Sequence, residues 1–118
     1  MNVEWVRKEC LSLPMTTEDM PFGNDTLVFR LHGKIFCLLS LEPADRMNLK
    51  ADPEQALAWR EAYPQVQPGY HMNKKHWNTV LFDGLPESLL REMIHHSFQR
   101  VKASLSRKLQ LETDLYQQ

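Results

Sequence analysis

Two β-rich runs, Thr26 to Leu31 and Lys34 to Leu41, flank the dipeptide His32-Gly33, and this arrangement constrains the fold more than anything else in the chain. Leucine, β-branched and aromatic residues fill both runs, and a glycine-containing dipeptide between such runs marks a tight hairpin. A hairpin commits the chain to an antiparallel sheet, whose apolar side needs a second layer to cover it.

Three segments offer that cover. Val3, Val6, Cys10 and Leu13 recur at spacings of three and four, with Glu4, Arg7, Lys8 and Glu9 elsewhere on the wheel, which predicts an amphipathic helix ending at Pro14 and flanked by Trp5. Asp52-Pro53-Glu54-Gln55 combines an N-cap, a proline at the first helical position and a capping-box glutamine, so a second helix starts there and runs to Tyr63, where Pro64 stops it. From Pro86 a long helix carries Leu90, Ile94, Ser97, Val101 and Leu105 on one stripe. The tail from Ser106 is expected to continue helical and then fray towards Gln118.

Two more strands complete the reading. In Arg46 to Lys50, alternation puts Met47 and Leu49 on one face and Arg46, Asn48 and Lys50 on the other, which makes the hydrophilic face cationic. Trp77 to Phe82 is a further strand, closed by Asp83-Gly84. Residues 14–25 show no sustained period and read as a loop or short extended piece. The order predicts one two-layer α+β domain over residues 1–118, with an antiparallel sheet and its helices packed on one side.

The chain carries 14 Lys and Arg against 15 Asp and Glu, so it lacks the overall basic charge of a dedicated duplex-DNA binder. Charge is nevertheless uneven: between Glu61 and Asp83 there is no acidic residue, and the window contains His71, Lys74, Lys75 and His76. Lys74, Lys75 and His76 cannot be buried unpaired, so they face solvent or a partner. In the same segment Trp77 reads as a core anchor, because an indole buries so much area. The functional reading gives Lys50, Lys74 and Lys75 to phosphates, with His71, Asn73 and His76 as neighbours and Tyr70 or His71 able to stack on a base. Arg46 extends this patch if its strand lies beside the loop.

No catalytic signature is present: GxSxG, Walker A and GxGxxG are all missing, and no nucleophile sits beside a histidine and an orienting acid. No cofactor or metal is expected, since His71 and His76 are five apart on a turn, and His95 and His96 point to different helix faces. Cys10 and Cys37 read as reduced core residues. The apolar run from Ile35 to Leu39 is far short of the roughly 20 residues of a membrane span. The N-terminus has no apolar leader, so the expected compartment is the cytoplasm.

Several stretches together carry a resemblance. Lys34 to Phe36, Asn48 to Lys50, the Asp52-Pro53-Glu54 helix start, Tyr63-Pro64, the long segment from Pro68 to Val80, and Asp83 to Pro86 resemble the bacterial MmcQ/YjbR family, over about Val3 to Leu109. The resemblance implies a compact α+β fold similar to secretion chaperones, and DNA binding through a winged surface. His71 to Trp77 and Asn48 to Lys50 would belong to that surface, and the family supplies no catalytic residues. The expected function is a non-enzymatic, weak and not strongly sequence-specific nucleic-acid-binding domain. The alternatives are a protein-interaction or chaperone-like module, and a small-molecule site between the loop at 69–77 and the hairpin.

Overall fold

The computed structural model describes residues 2–116. Helix α1 (Val3–Leu11) is followed by strands β1 (Thr16–Asp19), β2 (Thr26–Leu31), β3 (Lys34–Ser40) and β4 (Arg46–Lys50). Helix α2 (Pro53–Ala62), strands β5 (Val66–Pro68) and β6 (Trp77–Leu81), and helices α3 (Glu87–Ala103) and α4 (Arg107–Tyr116) complete the order. The strands form one six-stranded sheet in the order β1-β2-β3-β4-β6-β5, with every neighbouring pair antiparallel.

The hairpin turns at His32 and Gly33, both with positive φ (49° and 80°), the combination a two-residue type I′ turn requires and one that glycine adopts without a side-chain clash. Strand register then sorts the side chains. Leu27, Leu39, Met47, Val80 and Val66 are successive cross-strand partners, and this row of buried residues lies on the side that the helices cover. The row made by Val28, Leu38, Asn48, Thr79 and Gln67 points the other way. It changes from apolar at the hairpin to polar at β5.

A bulge after Phe29 leaves Phe36 out of the β2–β3 register, so Phe36 and Cys37 are both buried although they are consecutive. Phe36 meets Phe98 of α3 edge-on at 5.4 Å. Ser97 repairs the ladder where β3 and β4 separate, because its hydroxyl donates to the Phe36 carbonyl (2.5 Å) and accepts from the Lys50 amide (2.8 Å). Cys10 and Cys37 are both buried and free. Their mutual hydrogen bond, then burial, pushes the Cys10 thiol well above its ordinary value.

The predicted N-cap is in place: an Asp52 carboxylate oxygen accepts from the amides of Glu54 (3.2 Å) and Gln55 (3.4 Å). Asp52→Ala should therefore lower stability by about 1 kcal/mol. An unchanged urea midpoint would contradict this. The Asp52 amide itself donates to His96 Nε2 at 3.1 Å. Burial, and then Arg100, hold His96 below its ordinary pKa, which suits an unprotonated acceptor nitrogen.

Two edge strands and a break in the C-terminal helix add to this reading. Residues 14–25 contain an edge strand, β1, held by its ladder to β2 and by the ion pairs Arg7–Glu18 and Arg30–Asp19. A short strand, β5, forms at Val66–Pro68 on the opposite edge. The C-terminal stripe does not continue as one helix: α3 ends at Ala103, and α4 starts anew at Arg107. Helix α4 is tied back by Thr113, whose hydroxyl donates to the Leu109 carbonyl (2.8 Å) and is hydrogen-bonded to His32 Nε2 (3.1 Å). The Lys102–Asp114 ion pair adds a second tie.

Candidate functional site

The sheet face opposite the helices is not left bare. The segment 69–76, between β5 and β6, folds back over it. Asn73 shapes this loop: its carbonyl accepts from the amides of His76 (3.1 Å) and Trp77 (2.9 Å), and its side-chain oxygen accepts from the Lys75 amide (3.0 Å). Gly69 pairs with Trp77, donating to its carbonyl at 2.9 Å. A Cβ there would stand 3.1 Å from the Trp77 Cβ and 3.2 Å from its carbonyl oxygen, so glycine lets the two segments approach without either giving way.

An arginine from the helix layer anchors the loop. Arg60 Nε donates to Asn78 Oδ1 (2.6 Å), and its Nη2 donates to the Trp77 carbonyl (3.3 Å) and the Lys74 carbonyl. Asn78 is only 2% exposed on the helix side of β6, and its Nδ2 donates to the Ala56 carbonyl at 3.3 Å. A buried amide of this kind must be hydrogen-bonded, and satisfying it ties α2, β6 and the loop together.

Between loop and hairpin lies a cavity of about 440 Å³, where the small-molecule alternative had placed a site. Thr26, Ile35, Leu38, Ser40 and Asn48 form its floor, and Phe22, Arg46, His71, Met72 and Trp77 its walls. A second concavity of about 210 Å³ lies alongside, reaching Gln67, Tyr70 and Thr79 and sharing Arg46, Asn48, His71 and Met72 with the first. The two follow the row from Leu38 to Gln67: apolar at the hairpin, polar at β5.

The residues of the basic-aromatic segment divide by position. Lys74 and Lys75 are exposed, with Lys74 Nζ 5.1 Å from the centre of the Tyr70 ring. His71 is exposed on the cavity wall. Asn73 serves the turn. The His76 carbonyl accepts from the Ala51 amide (2.8 Å), while its buried Nδ1 has no hydrogen-bond partner among the described residues. Lys50 is the cross-strand partner of Trp77 on the same face but does not line the cavity.

Trp77 corrects the sequence reading. It is half-buried, stands on the open face and lines the cavity; the buried tryptophan of the helix-side core is Trp59, 7% exposed. Arg46 does lie beside the loop, as the extended patch requires. Its Nε and Nη2 are held by Asp45 (2.8 and 3.2 Å), and this hydrogen-bonded pairing lowers the Asp45 pKa and raises that of Arg46. Among the described residues, no three His, Cys, Asp or Glu side chains gather to hold a metal ion, and no helix is long and apolar enough to cross a membrane.

The sequence profile of the YjbR family matches residues 11–100. The chain belongs to the YjbR family. The uncharacterised protein YbdF of Escherichia coli O157:H7 is 40% identical over 107 residues, covering 89% of this chain and 88% of its own. The uncharacterised protein YjbR of Escherichia coli K12 is 26% identical over 102 residues, covering 85% and 86%. The fold is shared with solved structures. A Deinococcus radiodurans protein with a DUF419 domain superposes with a TM-score of 0.87 at 36% identity, covering 98% of this chain and 89% of that one. A Pseudomonas syringae protein gives 0.73 at 29% identity, covering 86% and 99%. The YjbR-family α+β fold is thereby shown.

Proposed function

We propose that the open sheet face beneath the 69–76 loop binds a single nucleic-acid strand, weakly and without catalysis. The observation that carries this reading is a concave cavity walled by Trp77, Phe22 and His71, with Lys74 and Lys75 exposed on the covering loop. Unstacked bases lie against aromatic side chains on such surfaces while cations follow the phosphates. A duplex major groove instead needs a projecting helix or ribbon, and this face is a hollow. Exposed Tyr70 and Phe22, at 63% and 62%, lie where flanking bases would stack.

Docking of a peptide along a sheet edge fits less well. Edge β5 has three residues and ends in Pro68, while edge β1 carries Glu18 and Asp19 in ion pairs. Both are features that blunt strand addition.

The test is a titration of labelled single-stranded DNA, RNA and duplex over a salt series. Single strands should bind more tightly than duplex. Lys74→Glu with Lys75→Glu should weaken binding to all sequences alike and reduce the salt slope by about 1.4, about 0.7 for each lost phosphate contact. No binding of any nucleic acid at low salt, where screening is weakest, would end the proposal in favour of a protein partner.

A further inference from the structure

Cations that do not line the hollow gather at the end of the sheet where β4 stops and β6 starts. A series of contacts sets their order. At the foot of the covering loop the His76 carbonyl accepts from the Ala51 amide at 2.8 Å, beside Lys50. The next residue, Asp52, places Oδ1 3.9 Å from Nη1 of Arg100 on α3. One turn further along α3, Ser104 Oγ accepts from Nζ of Lys34, the first residue of β3, at 3.4 Å. The row therefore leads from Lys74 and Lys75 over Lys50 to Arg100 and Lys34, passing round the end of the sheet from the open face to the helix side.

This row carries charge that the fold does not neutralise. Lys34, Lys50, Lys74 and Lys75 form no ion pair among the described residues. The acid within the row, Asp52, engages its other oxygen in the α2 cap, and 38% of the Arg100 side chain is exposed beside it.

We infer that this rim is a second phosphate-binding segment, which takes the backbone of a single strand out of the hollow and round the end of the sheet; this rests on the single-strand reading above. Unpaired surface cations attract a polyanion whatever its sequence, by releasing its counterions. Neighbouring strands lie about 5 Å apart, so the step from β6 through β4 to β3 spans roughly 10 Å. A strand that only fills the hollow stays on the open face, whereas a longer one also meets Lys50, Arg100 and Lys34.

The experiment measures the salt dependence of binding for oligo-dT of about 4 and about 12 nucleotides, by fluorescence anisotropy. The longer strand should show the steeper slope in the wild-type chain. Lys34→Gln with Arg100→Gln should lower that slope by about 1.4, about 0.7 for each lost phosphate contact, and leave binding of the short strand unchanged. Lys34→Gln alone, at an exposed position, should lower it by about 0.7 and guards against the double variant failing to fold. A long-strand slope unchanged in both variants, or an equal loss on both strands, would overturn the rim and leave binding in the hollow standing. Absence of binding to either strand would overturn both.

Discussion

Trp59→Ala should cost about 3–5 kcal/mol of stability, whereas Trp77→Ala should cost only about 1–2 kcal/mol and instead remove binding. Trp59 is buried in the helix layer and meets the His96 ring edge-on at 5.2 Å, so truncation leaves a cavity between α2 and α3. Trp77 is half-buried against an already open hollow, and truncation there enlarges a space that solvent reaches. Urea unfolding of the two variants separates the cases. Equal losses would mean that Trp77 is a core residue after all, and that the cavity wall has been misassigned.

Arg60→Ala is expected to cost about 2–3 kcal/mol and also to loosen the loop, although Arg60 does not line the cavity. The substitution takes the donor away from Asn78 Oδ1, on a buried side chain, and from the carbonyls of Lys74 and Trp77. A hydrogen bond to a charged donor contributes about 1.5–3 kcal/mol, and an abandoned buried acceptor adds its desolvation cost. Arg60→Lys should not restore the site, because an ammonium is a point charge and cannot reproduce the planar fork. Amide hydrogen exchange reports the result: His76 and Trp77 should lose protection in both variants while α3 keeps its own. Unchanged exchange in the loop would show that Asn73 and Gly69 hold it without Arg60.

Much of this fold is legible in the sequence wherever local chemistry and burial agree. The His32-Gly33 turn, the Asp52 cap and the alternation of Met47 and Leu49 each have a local cause, and each stands where expected. The edge strands were hidden for different reasons. Thr16–Asp19 has no apolar residue to report, and Val66–Pro68 is three residues long and contains a proline; both are strands only because a neighbour supplies the ladder. The break before α4 is invisible to periodicity, because Leu105 and Leu109 keep helical spacing across it.

Trp77 was misread from its size alone. The size of the indole marked Trp77 as the buried residue, yet Asn78 and Val80 face the core. Asn78 can be there only because Arg60 and the Ala56 carbonyl satisfy its amide, and that long-range pairing leaves no mark at positions 77–81. The cationic and aromatic loop was legible as a surface. Its companion residues Phe22, Ile35 and Leu38 were not, because their convergence depends on how the loop folds over the sheet.

The central claim is that the open sheet face, and not the helix layer, is the binding surface. Its most direct test is an NMR titration of the labelled chain with a short single-stranded oligonucleotide at low salt. The account predicts chemical-shift changes concentrated on Ile35, Leu38, Asn48, His71, Met72 and the Trp77 indole, with Trp5, Trp59 and α3 unmoved. Shifts confined to α1 and α3, or none at saturating oligonucleotide, would contradict it.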